Sequence, residues 1–255
     1  MDLPVNGFRR AIAAGTPIGT WLSSGAPVTA ELLGHVGYDF LVVDMEHTPL
    51  DPPQLVDVLR AVASTPAHAI VRPPWNDMVL VKRVLDSGAN SLLIPWVQNA
   101  EEAKRAVAYT RYPPDGVRGV SVSQRSNRFG TVADYFRDVN AQICVLVQIE
   151  NRAGLAAAAE IAAVDGVDGI FVGPSDLAAA FGHLGAPDHP SVQSAIAEIF
   201  AVAKAAGKPS GILTPVEADA RRYLSMGARF VAVGSDLGVF RNATQQLRDR
   251  FGRSG

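Results

Sequence analysis

The sequence predicts an α/β fold of the TIM (β/α)8 barrel type, built as a single domain over residues 1–255. Three observations carry that expectation. Eight short apolar runs alternate with stretches of helical periodicity along 255 residues, the number and length that such a barrel requires. The runs are apolar almost throughout, as parallel strands buried on both faces must be, and the ionisable residues gather just beyond their ends. No linker, repeat or change of composition divides the chain. A doubly wound sheet is the alternative, but the first strand-to-helix turn, Gly19-Thr20-Trp21, is no G-x-G-x-x-G.

Each element can be justified in order. Residues 6–14 form a short amphipathic helix closed by Gly15, and 17–22 (PIGTWL) a first strand. Helix 27–36 leads to strand 40–44 (FLVVD) and the polar run Met45-Glu46-His47-Thr48-Pro49. Helix 53–63 puts Leu55, Val58, Leu59 and Val62 on one face. Strand 68–72 (HAIVR) is halted by Pro73-Pro74, and helix 77–86 leads to strand 91–94 (SLLI), stopped by Pro95. Helix 99–110 takes Asn99 as its cap. The pattern then lapses over 111–135, a long polar connection marked by Gly and Pro, of a length usually reserved for function. Strand 144–149 (CVLVQI), an Ala-rich helix 155–164 and strand 169–172 (GIFV) form a right-handed βαβ unit. Helix 189–206 ends at Gly207, and strand 209–213, helix 216–226, strand 230–233 and a last helix 237–251 complete the count.

Bulk properties narrow the function. A hydrophobic content of 48% with 19% charged residues fits a large core. A net charge of -2 advertises neither nucleic acid nor an anionic membrane. The single cysteine, Cys144, sits in an apolar strand and excludes an internal disulfide or a multi-cysteine zinc site. No apolar run reaches membrane-spanning length and the N-terminus lacks a signal-peptide core, so a cytoplasmic protein is expected. The four lysines, Lys82, Lys104, Lys204 and Lys208, all lie away from strand ends, which argues against a Schiff-base lysine. His35, His68, His183 and His189 read as structural or solvated.

The strand ends are where the chemistry would sit. They carry Trp21, Asp44 with Glu46 and His47, Arg72, Gln148 with Glu150, Ser175 with Asp176, and Gly234 with Ser235. Glu150 and Asp176 leave neighbouring parallel strands at the same end, a simple way to hold a hard divalent cation such as Mg²⁺, which keeps several waters. The plainer alternative makes Ser175 a helix cap, Asp176 a first-turn charge and Glu150 a solvated strand end. A Lewis-acid cation with Arg72 to stabilise an enolate oxygen and His47 to move the proton would make or break a carbon–carbon bond next to a pyruvyl unit.

The segments GTWL, DMEHTP, VRPPWND, LLIPWVQNAEEA, RYPPDGVRGV, VLVQIE and VDGIFVGPSDLAAA together resemble the metal-dependent class II pyruvate aldolases of the HpcH/HpaI family, over nearly the whole chain. The resemblance implies Mg²⁺, replaceable by Mn²⁺ or Co²⁺, on Glu150 and Asp176, with no organic cofactor. It implies His47 as base, Arg72 at the transition state, and Asp86 raising the basicity of His47. It implies substrate contacts from Gln148, Ser175, Trp21, Asp44 and Leu213. The implied substrates are a keto-deoxy sugar diacid, pyruvate and short aldehydes, with neither nucleic acid nor membrane as partner. The implied assembly is a homohexamer, a trimer of dimers in which the last helix packs on a neighbouring subunit. Gln124 and Arg128 depart from the pattern of the nearest members, which bears on the aldehyde. Asp44, the loop 121–130 with Arg125 and Arg128, and Ser235 are expected to face that half of the substrate, arginine being well shaped to grip a carboxylate. Three alternatives stay open: a lyase of the same family acting on another hydroxy-oxo diacid, a phosphate-binding isomerase using Gly234-Ser235, and a non-catalytic dicarboxylate-binding barrel.

Overall fold

The computed structural model describes residue 3 and residues 5–252, so the expected 1–255 domain runs past the described residues at both ends. Eight parallel strands close on themselves in sequence order, β1 Ile18–Leu22, β2 Phe40–Asp44, β3 His68–Arg72, β4 Ser91–Ile94, β5 Cys144–Ile149, β6 Gly169–Val172, β7 Ser210–Leu213 and β8 Phe230–Ser235. The closing β1–β8 pairing carries a register shift between Gly19 and Trp21. The strands fall where the apolar runs predicted, because a strand covered on both faces has no periodic signal to lose.

Six helices cover the outside after successive strands: α2 Pro27–Val36, α3 Pro52–Ala63, α4 Met78–Asp86, α5 Ala100–Thr110, α10 Pro190–Ala205 and α11 Glu217–Ser225. The Ala-rich helix expected at 155–164 is instead two short pieces, α7 Arg152–Ala156 and α8 Ala158–Ala162, separated at Ala157. A short helix, α9 Pro174–Ala180, follows β6 at the upper rim and takes Asp176 into its first turn, as the plainer alternative expected. The long connection holds a 3-10 stretch at Arg125–Gly130, α6 Tyr135–Asp138 and a second 3-10 turn at Val139–Gln142.

The apolar residues separate into two groups. One fills the space between sheet and helices, from Leu41 and Val43 to Ile196 and Ile199. The other lies inside the barrel and includes Phe40, Val42, Leu93, Leu146, Phe171 and Phe230. Helix α1, Gly7–Ala14, plugs the lower end by inserting Phe8 and Ile12 into this inner group. Phe8 meets Phe40 and Phe230 edge-on at 5.3 and 5.4 Å. Asn6 caps α1 through the Arg9 N–H and, buried, donates to the Asn90 and Gln142 carbonyls, which fixes the plug to the barrel. At the upper end Trp21 rests on Phe171 at 5.5 Å and makes a floor.

The last helix, α12 Asp236–Asp249, behaves differently. It touches the body mainly through β1 and β8, and its apolar residues Leu237, Val239, Phe240 and Leu247 are exposed. Val28, Leu32 and Val36, spaced four apart on α2, are exposed as well. Among the described residues no helix is long and apolar enough to cross a membrane.

Candidate active site

The register of the parallel sheet builds the site. Asp44 ends β2 directly beside Arg72 at the end of β3. Arg72 donates through Nε to Asp44 Oδ1 at 2.9 Å and through Nη2 to Asp44 Oδ2 at 2.7 Å, a bidentate pair. Its Nη1 lies 2.8 Å from Glu46 Oε2, and its guanidinium sits 5.1 Å from the Trp21 ring. The fork is thus locked from three sides and still borders the cavity above.

These contacts divide the carboxylates. Burial pushes the Asp44 carboxyl up, but the Arg72 guanidinium, with the Glu46 and His47 N–H groups, outweighs it and holds Asp44 below the usual range. Burial wins at Glu46, which is raised against the pull of Arg72 and His47. His47 is well exposed at the mouth, with Nε2 3.8 Å from Glu46 Oε2.

Glu150 leaves β5 and is buried. Its Oε1 accepts the Trp96 N–H at 2.8 Å, and Oε2 accepts from Gln148 Nε2 at 2.5 Å. Trp96 follows Pro95 with a left-handed φ of 56, a conformation a large side chain rarely adopts, which turns its N–H onto Glu150. Burial raises the Glu150 carboxyl to about 7, and the Asp176 and Glu46 charges nearby add to the shift. Asp176 stands in the first turn of α9, after Gly173 and Pro174. Gly173 is obligatory here: a Cβ would lie 2.3 Å from Glu150 Oε2 and 2.7 Å from Gln148 Nε2.

The residues fit a hard divalent cation. The Asp176 charge lies near enough to Glu150 to help raise its carboxyl, a repulsion that a cation bound between them would relieve. Gln148 Oε1 is a buried acceptor that receives no hydrogen bond. Among the described residues no group of three or more His, Cys, Asp and Glu side chains is placed to chelate an ion.

A cavity of about 610 Å³ opens above these groups. Of the sequence-predicted residues it is lined by Trp21, His47, Arg72, Gln148, Ser175, Asp176 and Leu213. Glu150 lies behind Gln148 and Gly173. Pro187, Asp188, Gln193, Thr214, Asp219 and Tyr223 form its outer part and were not anticipated. Thr214, one residue past β7, carried the one available signal; the helical positions 193 and 223 carried none.

Asp44, Asp86, loop 121–130 and Gly234-Ser235 have other partners within the chain than the sequence suggested. Asp44 is absent from the cavity lining, and its oxygens accept from Arg72 and from the Glu46 and His47 N–H groups, so within the chain it orients Arg72. Asp86 does not meet His47 within the chain. It ends α4, which runs back toward the lower rim, and pairs with Arg118 at 2.8 Å. Loop 121–130 also lies low, because a helix-to-strand connection emerges at the N-terminal face of a barrel. There Arg125 donates to the Ser87 carbonyl at 2.9 Å and borders a cavity with Gly7, His68 and Gly88. At Gly234-Ser235 the start of α12 already holds a carboxylate of its own, that of Asp236, which accepts the Ser23, Ser24 and Leu237 N–H groups, while Ser235 Oγ caps Gly238.

Fold and site together define a (β/α)8-barrel enzyme whose carboxylates, arginine and histidine converge at the C-terminal rim. Residues 17–243 match the family described as HpcH/HpaI aldolase/citrate lyase. A protein of Enterobacter sp. (strain 638) named 5-keto-4-deoxy-D-glucarate aldolase is 58% identical over 251 residues, 98% of each chain. One of the same name from Klebsiella pneumoniae subsp. pneumoniae is 57% identical over 247 residues, 96% of each. The crystal structure of an HpcH/HpaI aldolase/citrate lyase family protein from Burkholderia cenocepacia J2315 superposes with a TM-score of 0.94 at 40% identity, covering 97% of this chain and 99% of its own. The chain belongs to the HpcH/HpaI aldolase/citrate lyase family and is a carbon–carbon lyase of the aldolase type.

Proposed function

We propose that this chain cleaves 5-keto-4-deoxy-D-glucarate to pyruvate and tartronate semialdehyde, the substrate being the one in the names of relatives 57–58% identical along nearly the whole chain. The observation that carries the chemistry is the placement of Arg72, locked by Asp44 and Glu46, at the cavity that Gln148 and Asp176 also line. Glu150 and Asp176 would hold a divalent cation, which when bound would supply Lewis-acid polarisation of the 2-keto carbonyl. Gln148 and the Ser175 N–H, in the first turn of α9, orient the pyruvyl carboxylate and carbonyl. Arg72 faces the oxygen on which enolate charge develops, and its rigid fork requires no reorganisation as that charge grows. His47, at the open mouth, takes the proton of the substrate hydroxyl in cleavage and returns one in the reverse direction. Trp21 and Leu213 close the apolar sides of the cavity.

Mg²⁺ is the resident ion in this reading, with Mn²⁺ or Co²⁺ able to replace it, and the protein acts in the cytoplasm as a homo-oligomer. The exposed apolar face of α12 and the α2 stripe support an assembly in which the last helix packs on a neighbouring subunit, the hexamer of the family resemblance. Asp86 would serve His47 only from a second copy, since its own chain holds it at the other rim.

The test is kcat/KM for pyruvate release from 5-keto-4-deoxy-D-glucarate and from 4-hydroxy-2-oxoheptanedioate on one preparation. A clear preference for the first is expected. Preference for the heptanedioate would move the chain to that rival activity.

A further inference from the structure

We infer that Gln193 is a positioning residue for substrate specificity: its carboxamide ties the wall of the cavity at Pro187-Asp188 to the rigid phenol of Tyr223. The inference rests on the aldolase reading above and concerns the half of the cavity farther from Glu150 and Asp176.

Three elements meet at one side chain. Gln193 lies in the first turn of α10. Its Nε2 donates to the Pro187 carbonyl at 2.6 Å and lies 3.0 Å from the Tyr223 hydroxyl, which donates to Gln193 Oε1 at 3.1 Å. Tyr223 belongs to α11, is 3% exposed, and packs edge-on against Phe200 at 5.9 Å. The phenol therefore cannot wander, and it fixes the carboxamide.

The other contacts of the wall are local to its own segment. Residues 182–189 connect α9 to α10. Among the described residues, their other hydrogen bonds stay within a few positions along the chain, such as His183 N to Ala178 O and Ser191 N to His189 Nδ1, and the His183 and His189 rings stack on each other at 3.4 Å within the same segment. Gly182 and Gly185 are left-handed, and nothing lies within 4 Å of where a Cβ would stand on either. Leu184 is 83% exposed. A segment with two left-handed glycines, packed mainly on itself through the His183–His189 stack, takes its position relative to the barrel from the contacts at its ends. Gln193 is the contact that reaches the body of the barrel through a second helix.

The wall matters because of what it presents. The ionisable groups of the outer cavity are Asp188, next to the clamped carbonyl, and Asp219, itself paired with Arg222 at 2.8 Å. Carboxylates accept hydrogen bonds and donate none. The distal carboxylate is common to both diacids and is not favoured by either aspartate, so the difference lies in the hydroxyl next to it, which Asp188 can accept from and which the methylene chain of the heptanedioate lacks. Holding Asp188 still makes that distinction sharp, since an acceptor displaced by 1 Å loses most of its angular preference.

The experiment compares the wild type with Gln193→Leu, Tyr223→Phe and the double variant in two assays. One is cleavage of 5-keto-4-deoxy-D-glucarate. The other is exchange of pyruvate methyl protons, which needs only the pyruvyl half of the site. Gln193→Leu should lower kcat/KM for cleavage about tenfold, chiefly through KM, and leave exchange within about twofold. Tyr223→Phe keeps the ring and should lower cleavage about two- to tenfold, the usual effect of one neutral hydrogen bond. The double variant should be no worse than Gln193→Leu alone, because both changes open the same clamp. Cleavage of 4-hydroxy-2-oxoheptanedioate should fall less than that of the sugar acid. Unchanged sugar-acid cleavage in the variants would overturn the inference, as would a parallel fall in exchange. If Gln193→Leu does not fold, Tyr223→Phe decides alone. Failure of the wild type to exchange or cleave would instead overturn the aldolase reading.

Discussion

At the scale of single residues, the site depends on groups that stop one another from moving. Arg72 is held by Asp44 and Glu46 before any substrate arrives. Asp44→Asn should therefore damage the site without touching substrate. It leaves a buried guanidinium poorly compensated, and breaking such a pair costs about 3–5 kcal/mol of stability. Thermal unfolding and the rate of pyruvate proton exchange should fall together in that variant; normal exchange would show that Arg72 does not need its partner. His47→Ala should lose about 10²–10⁴-fold in cleavage rate with little effect on unfolding, since the ring is exposed. Gly173→Ala tests the cradle more narrowly. Its methyl would press on Glu150 Oε2 and Gln148 Nε2, so Mg²⁺ affinity should drop while the barrel stays folded. Unaltered affinity by calorimetry would argue against Glu150 as a ligand. The polar residues at strand ends were legible in the sequence because a parallel barrel puts its chemistry there. The division of labour was not. That Asp44 serves Arg72 follows from the β2–β3 register, and that Trp96 serves Glu150 follows from a left-handed backbone, neither of which a sequence displays.

At the scale of elements, the strands and most outer helices follow directly from apolar runs and periodicity, and the misplacements have physical causes. The connection 111–135 drew attention by its length and its arginines, yet length does not say which rim a loop occupies. Its place between a helix and the next strand does, and that puts Arg125 at the lower rim against Ser87. Helix α9 was legible only as a possible cap at Ser175, because seven residues are too few for a periodic signal. Helix α1 was visible as an amphipathic segment, whereas its role as a plug depends on the barrel being closed. Phe8→Ala should cost about 3–5 kcal/mol, the range for deleting a buried phenylalanine ring. Because Phe8 lies at the end of the barrel opposite the site, kcat should survive below the lowered unfolding midpoint. A large fall in kcat at temperatures where the variant is folded would mean that the plug shapes the upper rim.

At the scale of the whole molecule, one feature bears on assembly and another on mechanism. The last helix carries an apolar face that its own barrel leaves exposed, Phe240 at 68%. Burying one such side chain is worth roughly 1.5–3 kcal/mol, so Phe240→Asp should shift the protein to smaller species on size-exclusion chromatography. No shift would remove α12 from the interface. The lysines stay off the strand ends, and the acidic residues gather where a cation would sit. This placement leads to one claim, that carbon–carbon cleavage depends on an ion held by Glu150 and Asp176. The most direct measurement is pyruvate release from 5-keto-4-deoxy-D-glucarate by metal-stripped protein as Mg²⁺ is added back, in the wild type, Glu150→Ala and Asp176→Ala. The account predicts no turnover without the ion, recovery in the wild type on adding it, and no recovery in either variant at the same concentrations. Full turnover by either metal-stripped variant would contradict it.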